Sequence, residues 1–174
     1  MSKTSLVLTI LGPDRPGLVE QIARLVAEHE GNWLESRMAH LAGQFAGILR
    51  VEVDADRAEA LSASVAGLAQ SGLESIIHPD PAAASIGADD RPLLHLDLMG
   101  QDRPGIVREI SRVLASLGVN VEELTTECRA AAETGHPTFH VEAQLRLPPS
   151  VTDGALRDAL EAVAHDLMVD IKLA

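Results

Sequence analysis

The chain has 174 residues, 46% of them hydrophobic and 23% charged, with a formal net charge of −12. This is the balance of a folded globular protein, and no apolar run approaches the ~20 residues of a membrane-spanning helix. An acidic chain with one Trp, two Phe and no Tyr lacks both the basic footprint and the aromatic platforms that grip nucleic acid, so no direct nucleic-acid binding is expected.

In chain order, Leu6 to Leu11 alternates and reads as a first strand. Leu18, Ile22, Leu25 and Val26 follow at the i, i+4, i+7, i+8 spacing of an amphipathic helix. Asp14 is its expected N-cap, Pro16 falls in its first turn and Gly31 is its expected stop. Asn32 to Ala39 and Phe45 to Val53 read as strands around a turn at Gly43. A second helix is expected from about Ala55 to Gln70, with Leu61, Val65 and Leu68 inward and Gly72 ending it, before a short strand from Leu73 to Ile77. The aperiodic segment 79–92, rich in Pro, Ala, Gly and Asp, reads as a linker.

The second half repeats the order. Leu93 to Met99 is a strand, and Ile106, Ile110, Val113, Leu114 and Leu117 mark a helix. Val121 to Cys128 is the next strand, followed by a loop over 130–137. Phe139 to Leu147 alternates strictly, with His140, Glu142, Gln144 and Arg146 on the outer face. Ser150 with Asp153 is the expected capping pair of a helix that turns Leu156, Leu160 and Val163 inward, and Leu167 to Leu173 closes the chain as a strand. The expected fold is α+β: two βαββαβ, ferredoxin-like domains (1–78 and 93–174), each a four-stranded antiparallel sheet with two helices on one face. Domains this small bury a modest fraction of their surface, and a homodimer is expected.

The repeat is textual as well as structural. Gly12-Pro13-Asp14-Arg15-Pro16-Gly17 returns as Gly100-Gln101-Asp102-Arg103-Pro104-Gly105, and 11 of the 24 positions from Gly12 to Glu35 are identical 88 residues later. Such a loop is suited to an anion, because glycines let backbone approach a ligand and the first helical N–H groups are unsatisfied at the positive end of the dipole. Asp14 and Asp102 are candidates to meet an ammonium group. For one copy alone, a helix cap in a tight turn accounts for the same residues. Asn32 and Asn120 each lie 18 residues after the Asp. In βαβ geometry that point is expected beside the loop, where an amide can bond a ligand carboxylate.

The βαββαβ order, the strand–Gly-x-Asp-Arg-Pro-Gly–helix motif and the later Asn resemble an ACT domain, the small regulatory module that binds amino acids. A tandem pair with little else is similar to the glycine cleavage system transcriptional repressor family, with Val119-Asn120-Val121-Glu122-Glu123-Leu124-Thr125-Thr126 and Gly135-His136-Pro137-Thr138-Phe139-His140-Val141-Glu142-Ala143 as the more specific matches. The resemblance implies a non-enzymatic sensor that binds an amino acid, glycine first, at a domain or subunit interface. It implies control of transcription through a protein partner such as a DNA-binding regulator, in keeping with the acidic charge. Carried over by position, it implies ligand contacts at Gly12, Asp14, Arg15, Gly17, Asn32, Gly100, Asp102, Arg103, Gly105 and Asn120. Several amino-acid-binding members have Asn where this chain has Asp14 and Asp102, and a carboxylate there would repel a ligand carboxylate unless it meets the amine. The alternative reading is a structural ACT module that assembles with an amino-acid biosynthetic enzyme.

Other chemistry is not expected. The seven histidines pair with the single Cys128 at no zinc-site spacing, so neither metal nor cofactor is anticipated. Cys128 has no evident activating partner and rules out an intrachain disulfide, which suits a reducing compartment. Glu122 and Glu123 point to opposite faces of a strand, and no nucleophile, base and oxyanion donor assemble at plausible spacing. Trp33 reads as a packed apolar group, and His95 and Asp97 share the outer face of their strand. The N-terminus leads into a strand-like run without a secretory leader pattern, so a cytoplasmic location, with no membrane attachment, is expected.

Overall fold

The computed structural model describes residues 2–80, 91–130 and 137–174. Most of the expected linker (81–90), and 131–136 of the expected loop, with Gly135 and His136, lie outside the described residues. The chain divides into two compact units, one per sheet.

The first unit runs β1 (Lys3–Pro13), α1 (Leu18–Glu28), β2 (Asn32–Leu41), β3 (Gln44–Asp54), α2 (Ala58–Ala66), a 3₁₀ turn (Gly67–Ser71) and β4 (Glu74–Pro79). The second runs β5 (Leu94–Gln101), α3 (Ile106–Ser116), β6 (Asn120–Ala130), β7 (Pro137–Arg146), α4 (Asp153–Leu167) and β8 (Val169–Leu173). The sheets are ordered β2-β3-β1-β4 and β6-β7-β5-β8, with every neighbouring pair antiparallel. The repeat extends to defects: the edge strands slip register at Trp33/Glu35 and at Val121/Glu123, 88 residues apart.

Period-two burial builds each core. Leu6, Leu8 and Ile10 of β1 and Leu49, Val51 and Val53 of β3 face Leu18, Ile22 and Val26 of α1 and Leu61 and Val65 of α2 in one cluster, with Trp33 packed against its margin. The second core gathers Leu96, Leu98, Val141 and Leu145 against Ile106, Ile110, Leu114, Leu156 and Leu160. Because both helices of a unit cover the same face, the other face of each sheet is open, and here the copies differ. Across the first sheet Ile48, Thr9 and Ile76 stand in one row, with Ile48 54% and Ile76 57% exposed. The equivalent row of the second sheet is Glu142, Asp97 and Lys172.

Several local expectations are corrected. The second helix is shorter than 55–70: α2 tightens into 3₁₀ geometry at Gly67 before Gly72 (φ 81°) turns the chain. The left-handed residue ending α1 is Glu30 (φ 54°), not Gly31. Gly31 instead donates its N–H to Val26 O at 2.9 Å, at a site where a Cβ would lie 2.8 Å from Val26 Cγ1. Thr152, rather than a Ser150–Asp153 box, caps α4, its Oγ1 accepting from Ala155 N–H at 3.2 Å. No described helix is long and apolar enough to cross a membrane.

Candidate functional site

Each loop of the repeat joins a central strand to the first helix of its unit, and the same two hydrogen bonds and one left-handed glycine shape both. In the first, β2 and β3 are closed by a two-residue turn, Ala42 (φ 50°) and Gly43 (φ 77°), whose paired positive φ values match the twist of a hairpin. Asp14 N–H donates to Gly43 O at 2.9 Å, which lays the loop against that turn. Gly17 then takes φ 89° and the helix starts at Leu18, with Gln21 N–H reaching Gly17 O. In the second loop Asp102 N–H donates to Pro137 O at 3.0 Å, Gly105 takes φ 98°, and Glu109 N–H reaches Gly105 O.

Asp14 and Asp102 are therefore not helix caps. Gly17 and Gly105 occupy the N-cap position, and no side chain bonds the first turn of α1 or α3. Two residues and a left-handed glycine separate each Asp from its helix, and the amide bond to the hairpin aims the carboxylate towards the edge strand. Asp14 Oδ2 lies 2.5 Å from His40 Nδ1. Asp102 Oδ2 accepts from Cys128 Sγ at 3.5 Å. His40 and Cys128 occupy equivalent places, 26 residues after the Asp. Sequence reasoning missed both, although the repeat offset pairs them and a parallel β1/β2 arrangement brings the end of β2 level with the end of β1.

The two glycines of each loop serve different needs. Gly17 and Gly105 supply positive φ, with open space where a Cβ would project. Gly12 and Gly100, expected to admit a ligand, instead admit protein. A Cβ on Gly12 would lie 2.7 Å from both Gly72 O and Leu73 Cδ2, and one on Gly100 would lie 2.5 Å from Val169 Cγ1. The arginines diverge as well. Arg15 is exposed and donates to Gln21 Oε1 at 3.2 Å, and Gln21 in turn bonds Ser71 Oγ at 3.3 Å. Arg103 donates to the carbonyls of Asp166 and Leu167, each at 3.2 Å, and so holds the C-terminal end of α4.

Asn32 and Asn120 do not lie beside the loops of their own units. Asn32 pairs with Glu52, which pairs with Ser5, whereas Gly12 pairs with Phe45. From Ser5 to Gly12 is seven residues of β1, roughly 23 Å at ~3.3 Å per residue. Asn120 pairs with Arg146, beyond the start of β5, while Gly100 pairs with Phe139 near its end. The reason is topological. The first helix returns the chain to the foot of the first strand, so the following strand begins there and runs parallel to it. Asn120 Nδ2 donates to Glu122 Oε1 at 2.8 Å, an oxygen that also accepts from Arg146 Nε at 3.0 Å.

Cys128 is no activated nucleophile. Desolvation by its neighbours, and then the hydrogen bond and charge of Asp102, push its thiol above the ordinary range. Removing that charge lowers the thiol pKa and enlarges the thiolate fraction. Asp102→Asn is therefore expected to speed alkylation of Cys128 by iodoacetamide several-fold at neutral pH, followed by mass spectrometry, while Asp14→Asn leaves the rate unchanged.

The chain is similar to several known proteins. The family model of the ACT domain matches residues 4–73. The glycine cleavage system transcriptional repressor of Escherichia coli (strain K12) is 25% identical over 170 residues, covering 95% of this chain and 87% of that protein. A crystal structure from Galdieria sulphuraria, described only as an unknown protein, superposes with a TM-score of 0.83 at 28% identity, covering 99% of this chain and 98% of that one. A structure assigned provisionally to the glycine cleavage system transcriptional repressors shares the fold, with a TM-score of 0.72 at 18% identity over 100% of this chain and 98% of that one. The first unit thus matches the ACT domain, the second repeats its βαββαβ topology, and over most of its length the chain is similar to the glycine cleavage system transcriptional repressors.

Proposed function

We propose that this protein is a non-enzymatic amino-acid sensor that controls transcription through a protein partner, with glycine or a similarly small amino acid as its ligand. The observation that carries the reading is the doubled loop, in which each Asp is anchored through its amide, excluded from capping and turned to the edge strand. A carboxylate held between the edge strand and the helix start can meet an ammonium group, close to unsatisfied N–H groups that favour a carboxylate. The two ends of an amino acid are thereby addressed within one loop. Asn32 and Asn120 complete such a cradle from a second copy of the chain, since neither reaches the loop of its own unit. Regulation through a DNA-binding partner agrees with the charge of −12, which disfavours contact with phosphates.

Titration calorimetry with a panel of amino acids tests this. Glycine or a close analogue is expected to bind, and Asp102→Ala to weaken binding by roughly 10- to 100-fold, the loss of one charged hydrogen bond. Asn120→Ala is expected to weaken it in step with loss of the dimer-borne site. Absence of heat for every amino acid at about 1 mM, the weak limit of a useful sensor, would refute the sensor reading.

A further inference from the structure

The open face of the second sheet carries a side-chain cluster that the first sheet lacks. Asp97 on β5 lies directly across from Glu142 on β7, and His140 precedes Glu142 by two residues on the same face. Their equivalents in the first sheet, by position in the ladders, are Thr9, Ile48 and Ala46. The βαββαβ fold forms there without any of these groups, so packing does not demand them in the second copy.

From this geometry we propose that Asp97, His140 and Glu142 form a binding site for a divalent first-row transition metal, of which Zn²⁺ and Mn²⁺ fit the donor set. One nitrogen, His140 Nε2, lies 3.0 Å from Asp97 Oδ2 and 3.8 Å from Glu142 Oε1. The three donor atoms all lie within 4.8 Å of one another. Bonds of about 2.0–2.2 Å to N and O donors hold adjacent ligand atoms roughly 3–3.5 Å apart, so a small contraction places all three in one coordination sphere. Without a cation, Nε2 can give its single proton to one carboxylate, and two like charges face each other across adjacent strands, which is unfavourable. A dication replaces that proton and neutralises both carboxylates.

The donor set narrows the ion. An imidazole with two carboxylates suits borderline metals, whereas Mg²⁺ and Ca²⁺ prefer all-oxygen shells. Three protein ligands leave coordination open, as in sites that bind a further group. The adjoining shallow depression, lined by His95, Glu123, Thr125 and Gln144 beside Glu142, is where that group would enter. His140 is the best-held member, its side chain 16% exposed against 31% for Asp97 and 52% for Glu142. Glu127, across from His140 on β6, is paired with Arg129, and Lys172 flanks Asp97 from β8. Sequence spacing hides the cluster because its ligands come from strands joined only through the sheet ladder.

The test is calorimetric titration of the untagged full chain with ZnCl₂ and MnCl₂, alongside MgCl₂ and CaCl₂. One site per chain is expected for the transition metals, at least about 100-fold tighter than for Mg²⁺ or Ca²⁺. His140→Ala is expected to weaken it by about 10- to 100-fold, and the isosteric Asp97→Asn and Glu142→Gln by about 10-fold each. His29→Ala, in the first unit, leaves it unchanged. Circular dichroism checks that the variants stay folded. No saturable binding of either transition metal by about 1 mM overturns the site, as does an affinity that His140→Ala and Asp97→Asn leave within about twofold. Amino-acid binding at the loops is a separate measurement, and neither result decides the other.

Discussion

Leu8→Ala is expected to lower the stability of the first unit by about 3 kcal/mol, within the ~2–5 kcal/mol range for large-to-small core changes. Leu8 is fully buried in the central strand, paired with Leu49 on one side and Ile77 on the other. Truncation leaves a cavity beneath α1 and α2 that rigid strand pairing prevents from closing. A domain of this size has only about 4–12 kcal/mol to lose, so urea denaturation should show a large fall in midpoint for one transition. Ile76→Ala, on the open face of the same sheet and 57% exposed, is expected to cost under ~1 kcal/mol. A similar loss for the two variants would mean that the open face is covered in solution.

The second large effect concerns the loop glycines. Gly100→Ala is expected to cost about 1–3 kcal/mol through overpacking, because the new Cβ would lie 2.8 Å from Met168 O and 3.0 Å from Val169 Cα, backbone atoms that cannot swing aside. Gly105→Ala is expected to cost about 1–2 kcal/mol for a different reason, the positive φ alone, since nothing stands within 4 Å. Asparagine separates the mechanisms. Because Asn tolerates left-handed backbone, Gly105→Asn should be milder than Gly105→Ala, whereas Gly100→Asn should be worse than Gly100→Ala. Thermal melts of the four variants decide it. The same ordering is expected at Gly17 and Gly12, where the clashing atoms are Gly72 O and Leu73 Cδ2.

The metal-donor cluster and the loop pair show the same limit of linear reading. His40 and Cys128 approach the loop Asp residues, and His140 approaches Asp97, through antiparallel register. Register depends on where turns fall and where bulges slip the count. The bulges at Trp33/Glu35 and Val121/Glu123 sit in otherwise ordinary strand sequence. The expected helix caps failed for a related reason. Asp14 looks like an N-cap when only its neighbours are considered, but its amide is drawn to Gly43 O on a hairpin 29 residues away.

By itself the sequence determined the element order, the two cores and the duplication, because these rest on periodic burial and on turn residues that act within a few positions. Leu8, Leu49, Leu98 and Leu145 alternate with polar or open-face partners, and that alternation leaves little choice of face. Only the tertiary structure decided what the repeated Gly-x-Asp-Arg-Pro-Gly loop does with its residues: Gly12 for close packing, Gly17 for its backbone angle, Asp14 turned to the edge strand and Arg103 tied to α4. It also placed Asn32 and Asn120 at the far end of each sheet from its own loop. Local preference sets what each segment becomes. Which side chains meet is set by the parallel course of first and second strands, and that follows from how the first helix carries the chain back.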